Sequence, residues 1–207
     1  MKNEEKERLL AMCCYEQPYW EKGLLVAGID EAGRGPLAGP CVAAAVVLPP
    51  GCLIAGVNDS KKLTEKRREA LYEQITAQAV CCAVGVADNH TIDTINILKA
   101  AQRAFAQALE GLAQQPAFVF SDRIGGIDTA LPYEEIVGGD RLCYSIAAAS
   151  IVAKVTRDRM MRAYDELYAG YGFAQHKGYG TRQHMEAIAA QGICQIHRTT
   201  FLKRLSG

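Results

Sequence analysis

The sequence lacks a net charge, an apolar run long enough to span a membrane and any C-x-x-C motif, and each absence removes a class of protein. Lys and Arg number 23 and Asp and Glu also number 23 among 207 residues. That balance excludes a uniformly basic nucleic-acid coat, so any basic surface has to be local. Cations do gather in the C-terminal third, from Lys154 through Arg157, Lys177 and Arg198 to Arg204. Eight cysteines are present, two pairs of them adjacent at Cys13-Cys14 and Cys81-Cys82. Their spacing suits neither a zinc site nor a disulfide framework and implies reduced thiols in a cytoplasmic protein. Met1 to Arg8 is charged and no adequate apolar region follows, so no secretory signal is expected. Gly35 to Asn58 carries no charge, but Pro36, Pro40, Pro49 and Pro50 break it into strand-sized pieces, so no membrane span is expected. No repeat, low-complexity tract or Ser/Gly linker is found.

What is present is a hydrophobic content of 49%, ample for a core, in a length that fits one domain with a small appendage. Residues 1 to 20 read as an amphipathic helix outside the main domain, through Leu9, Leu10, Met12 and Cys13. Strands are expected at Leu24–Asp30, Cys41–Leu48, Cys52–Val57, Val80–Ala87, Ala117–Ser121 and Glu135–Val137. Helices are expected at 64–78, 92–112, 140–169 and 181–191, the first with Thr64 as its cap. Strands first and strand–helix alternation afterwards predict an α/β sheet covered by helices over 21–170, with a helical lobe at 171–207.

Gly28-Ile29-Asp30-Glu31-Ala32-Gly33-Arg34-Gly35 places two acids at the end of a buried strand and a glycine-flanked arginine just beyond. The amides and guanidinium of such a turn suit a phosphate-bearing backbone. Acids beside it would repel that backbone unless divalent metal lies between, which points to metal-dependent phosphodiester chemistry. Asp122 likewise ends a short apolar strand, and Asp140 follows a glycine pair. Ligand sites in open α/β sheets gather at strand ends, and oxygen-only ligands select hard cations such as Mg²⁺ or Mn²⁺. Read singly, an Asp at a strand end is usually a turn former or helix cap, and Asp140 can N-cap its helix. Ser60-Lys61-Lys62 before a helix start can hold a phosphate or form a solvated loop. Ser150, Lys154 and Arg157/Asp158 share a helical line that either faces the site or carries surface charge pairs. His176-Lys177-Gly178-Tyr179-Gly180 sets a ring among cations, suited to stacking on a sugar or base.

These motifs resemble bacterial ribonuclease HII, the type 2 ribonuclease H family. The resemblance rests on Gly28 to Pro40, Asn58 to Leu63, Ala148 to Asp158 and His176 to Tyr179, in order along the chain. It implies a ribonuclease H-like α/β fold, a mixed central sheet flanked by helices, with a small C-terminal helical lobe contacting substrate. It implies an endonuclease that cuts the RNA strand of RNA/DNA hybrids and nicks duplex DNA at embedded ribonucleotides, leaving 5′-phosphate and 3′-hydroxyl ends. Asp30, Glu31, Asp122 and Asp140 match the family's four catalytic, metal-holding carboxylates, with two Mn²⁺ or Mg²⁺ ions and Asp30 shared between them. Gly33, Arg34 and Gly35 match the loop that senses the ribose 2′-hydroxyl, Tyr179 the ring that packs on the neighbouring deoxyribose, and Ser60, Lys61 and Lys154 contacts to substrate. The expected protein is a cytoplasmic monomer. Two positions depart from the family pattern: Arg123 stands after the third acid where glycine is usual, and Gly180 follows Tyr179 where proline or alanine is usual. The competing readings are a hybrid-binding protein without catalysis and a nucleotide-dependent phosphotransferase. The latter lacks its phosphate loop, since no G-x-x-x-x-G-K-[ST] occurs.

Overall fold

The computed structural model describes residues 1–122 and 124–203. Two helices, α1 (Asn3–Met12) and α2 (Gln17–Trp20), precede the strands β1 (Val26–Ala32) and β2 (Cys41–Val47). A 3-10 turn at Ser60–Lys62 leads into α3 (Glu65–Gln78), β3 (Cys81–Ala87), α4 (Asn89–Ile95) and α5 (Ile97–Glu110). Then come β4 (Phe118–Asp122), β5 (Tyr133–Ile136), α6 (Gly139–Leu142) and α7 (Tyr144–Leu167). The chain ends in α8 (Phe173–His176), α9 (Arg182–Gln191) and α10 (Thr199–Lys203).

The strands form one mixed sheet in the order β3-β2-β1-β4-β5. The β1–β2 and β2–β3 pairs are antiparallel, and β1–β4 and β4–β5 are parallel. The sheet is covered on both faces, which is why β2 reads as a continuous apolar run rather than an alternation. Ala44 and Val46 pack with α7, whereas Ala43, Ala45 and Val47 pack with α5. Gly28 lets α7 approach β1: a Cβ there would lie 2.0 Å from the Ser145 carbonyl carbon.

Four sequence expectations are corrected. Cys52–Val57 is not a strand, because its main chain is engaged by side chains instead of a ladder. The Ile54 amide donates to the Tyr144 hydroxyl (2.7 Å), the Gly56 amide to Glu5 (2.7 Å), and Arg8 donates to the Val57 carbonyl (2.8 Å). The helix expected over 92–112 is two, broken where Asn96 takes φ 70° and its side chain caps Leu98 and Lys99. The helix expected from 140 begins instead at Tyr144, after the short α6 and an extended Cys143. The N-terminal helix is also two pieces, and the turn between them carries a residue that no local pattern singles out. Glu16 is fully buried and its Oε1 accepts from the Ser145 amide (2.7 Å), the Ser145 hydroxyl (2.8 Å) and the Cys143 thiol (3.1 Å). It caps the start of α7 from across the fold, where a negative charge is favoured.

Candidate active site

Strand register brings the first two acids together. β1 and β4 run parallel with Gly28 opposite Phe120 and Ile29 opposite Ser121. One step further along both strands sets Asp30 beside Asp122. Alternation puts both side chains on the face that Gly28 and Phe120 share, toward α7. Asp122 then recruits the third acid: its Oδ1 accepts from the Gly138 and Gly139 amides, each at 3.1 Å. That turn, which requires a left-handed Gly138 (φ 69°), delivers Asp140 on α6. Asp30, Asp122 and Asp140 each present an oxygen within 4.8 Å of the other two.

Glu31 is not within that group of three, because its parity on β1 is opposite to that of Asp30. It lines the same pocket from the strand end, with Oε1 accepting from Arg34 Nη1 at 3.2 Å. The pocket has a volume of about 210 Å³ and is also walled by Gly33, Arg34, Gly35, Ser60, Lys61, Lys154, Arg157 and Tyr179. All seven substrate-contact candidates therefore surround the acids. Larger hollows lie elsewhere; the one between Ile92 and Phe201, about 400 Å³, has a single acid, Asp93, which is committed to Thr199 and Thr200.

The charges in the pocket are strained. Burial, then Glu31, Asp122 and Asp140, push the Asp30 carboxyl well above the usual carboxylate range, against one opposing hydrogen bond from the Glu31 amide. Burial also raises Glu31, offset in part by Arg34. Asp140 is raised by burial, with Lys61 acting against it. The Lys61 ammonium lies 3.1 Å from Asp140 on a side chain that is 78% exposed. Lys154 donates to Asp158 at 2.6 Å and is pulled down by burial despite that partner. Ser60 is buried in the 3-10 turn, whose start Asp59 caps by accepting from the Lys61 amide. Tyr179, 45% exposed, closes the far side. Arg123, the departure beside the third acid, lies outside the described residues. Three carboxylates crowded into one corner, with Lys61 at 3.1 Å and Arg141 at 4.0 Å for countercharge at Asp140, form a donor set of hard oxygens that fits a divalent cation.

A family model for Ribonuclease HII matches residues 27–204. Ribonuclease HII of Acetivibrio thermocellus is 52% identical over 200 residues, covering 96% of this chain and 78% of that protein. The Enterococcus faecalis Ribonuclease HII is 49% identical over 201 residues, covering 97% and 78%. Among solved structures, the ribonuclease H2 of Pyrococcus horikoshii superposes with a TM-score of 0.73 at 27% identity, over 86% of this chain and 93% of that one.

Proposed function

The chain belongs to the ribonuclease HII family and is a ribonuclease H, an endonuclease; from that premise we propose that Asp30, Glu31, Asp122 and Asp140 are its catalytic carboxylates and hold two divalent cations, Mn²⁺ or Mg²⁺. The observation that carries this is the convergence of Asp30, Asp122 and Asp140 within 4.8 Å, an arrangement costly for folding unless a cation is bound. Bound there, the cations supply positive charge at the scissile phosphate and make water a better nucleophile. The chain's own residues do the rest. Asp122 orders the turn that carries Asp140, and Asp30 stands beside Asp122 at the ends of the paired strands. Lys61, engaged with Asp140 in the absence of metal, is long and exposed enough to reach a backbone phosphate once Asp140 is occupied.

The substrates are the RNA strand of RNA/DNA hybrids and duplex DNA carrying embedded ribonucleotides, cut to leave 5′-phosphate and 3′-hydroxyl ends. Gly33-Arg34-Gly35 offers its backbone to the ribose 2′-hydroxyl, the group that separates RNA from DNA. Tyr179 packs on the adjoining sugar, and Ser60, Lys61 and Lys154 hold phosphates. The segment from residue 171 onward forms the lobe that carries Tyr179 to the duplex. The protein works as a monomer in the cytoplasm; for the compartment, the support is that all eight cysteines are free.

The test is cleavage of a duplex with one ribonucleotide, of a full hybrid and of an all-DNA duplex, in Mg²⁺ and in Mn²⁺. Wild type should cut the first two only, and Asp30→Asn should cut none while keeping its circular dichroism. Undiminished cleavage by that variant rejects the site; failure of wild type in both metals favours the binding-only reading.

A further inference from the structure

The turn at 33–40 and the segment carrying Tyr179 are held from behind by two arginines that solvent barely reaches. Arg157 on α7 is 1% exposed and Arg198 is 0%. Arg157 donates from Nε to the Pro40 carbonyl (2.9 Å), from Nη1 to Lys177 (2.9 Å) and from Nη2 to Ala38 (3.1 Å). Arg198 donates from Nη2 to the carbonyls of Gly33 (2.6 Å) and Gly39 (2.8 Å), from Nη1 to Arg34 (3.0 Å) and from Nε to Gly39 (3.0 Å). Each of these acceptors is a main-chain carbonyl. Burying a guanidinium among carbonyls is expensive, so a mere tether is a poor account of two of them side by side.

Peptide geometry supplies a better one. A trans peptide sets C=O and N–H on opposite edges of one plane. Because Arg198 draws the Gly33 and Arg34 carbonyls inward, the amides of Arg34 and Gly35 must point away from it. The planar fork of arginine can hold several diverging carbonyls at once, which lysine cannot. Arg157 adds the second constraint, since it grips both Ala38–Pro40 and Lys177, two residues before Tyr179. Backbone bonds lock the same three segments: the Leu37 amide donates to Gly178 (2.8 Å), Gly39 to Ile196 (2.9 Å) and Arg198 to Leu37 (2.8 Å). There is no slack in the assembly. A Cβ on Gly33 would lie 2.1 Å from Arg157 Nε, and one on Gly178 would lie 2.4 Å from the Ala38 carbonyl oxygen.

We propose that Arg198 and Arg157 are positioning residues for ribonucleotide discrimination: they turn the 33–40 carbonyls inward, aim the Arg34 and Gly35 amides outward at the sugar, and fix that loop's distance from Tyr179. The inference rests on the reading that this loop meets the 2′-hydroxyl. It assigns to the two arginines no contact with the reacting atoms.

The experiment uses Arg198→Lys, which keeps the charge but not the fork. The readout is the ratio of Ki for an all-DNA duplex, as competitive inhibitor, to KM for the same duplex with one ribonucleotide. Wild type should show a ratio well above one. Loss of one well-aimed amide contact should lower it by about 5–10-fold in the variant. A purely structural arginine would lower the melting temperature and leave the ratio unchanged, and that result overturns the proposal. Should Arg198→Lys fail to fold, Gly33→Ala displaces the same loop from the Arg157 side and must lower the ratio likewise; an unchanged ratio there overturns it equally. A wild-type ratio of one rejects the underlying reading of the loop, and the proposal with it. A high wild-type ratio preserved in the variants rejects the arginine clamp alone.

Discussion

Replacing Asp30 by Asn keeps the shape of the side chain and removes one charge from a corner that holds too many of one sign. Asp30, Asp122 and Asp140 offer oxygens within 4.8 Å of one another. At an effective dielectric of ~20, two full charges at that separation repel by roughly 3 kcal/mol. Without a cation, burial first and then Glu31 and Asp122 raise the Asp30 carboxyl and so favour its protonated form, which would relieve part of this repulsion. A carboxylate raised in the folded state binds its proton more tightly folded than unfolded. Its penalty on stability is therefore absent below the unfolded value, grows as pH climbs toward the folded value, and stays in full above it. Asparagine carries no such penalty, and its oxygen can still accept the Glu31 amide, which donates to Asp30 at 2.8 Å. In EDTA at pH 7.5 the variant should gain about 2 kcal/mol, or roughly 4–8 °C in melting temperature for a chain of this size. Mn²⁺ should reverse the order: it raises the wild-type melting temperature by mass action, and most of that shift disappears in Asp30→Asn. Differential scanning fluorimetry in the two buffers reads both quantities. A variant that melts below wild type in EDTA, or one that Mn²⁺ stabilises as much as wild type, refutes the account of the acids as a mutually repelling cation site.

Two further outcomes follow from groups remote from the acids. Glu16→Ala should destabilise the fold by about 3 kcal/mol, because it strips a cap from α7 and leaves the Ser145 and Cys143 donors buried without their acceptor; a change below about 0.5 kcal/mol in urea unfolding would mean that water replaces the carboxylate. His184 is buried, stacked on His176 with centroids 4.4 Å apart and 3.0 Å from His197, and burial pulls it from 6.5 to about 4. The unfolded chain takes its proton first, so a contribution of about 3 kcal/mol present above pH 6.5 is lost as pH falls toward 4. His184→Gln should flatten that part of the stability–pH curve, and an identical slope in the two proteins would disprove the assignment.

Asp30 and Asp122 were legible in the sequence because a short apolar strand that ends in an acid is a local pattern. Their meeting was not, since parallel register between strands some ninety residues apart leaves no local trace. Asp140 was legible only as the residue after a glycine pair. What carries it into the site is the Asp122 side chain holding the Gly138 and Gly139 amides. The failures share a cause. Cys52–Val57 has strand composition and strand boundaries, but Tyr144, Glu5 and Arg8 reach its backbone before any ladder does. Asn96 interrupts a strong helical periodicity by taking a left-handed conformation that its own side chain then caps. Tertiary contacts decide such positions, and local propensity is a weak prior against them.

The neutral total charge is the sharpest case of information hidden in a sum. The chain buries Asp30 and Asp140 in one cluster at the pocket, and Arg157 and Arg198 behind the 33–40 turn that also borders it. The arginines hydrogen-bond to carbonyls, and Asp30 accepts an amide. Had these charges served the fold alone, direct pairing or apolar replacement would have been the more stable solution. Kept apart, the acids offer a cation-binding face, and the arginines, by gripping the carbonyls of 33–40 from behind, leave the amides of that turn as a phosphate-friendly face toward the same ligand. A substrate backbone carrying divalent metal satisfies both faces at once, and neither a free cation nor a bare polyanion does. Affinity for duplex should therefore rise with divalent metal by more than ionic screening allows, and that excess should vanish in Asp30→Asn.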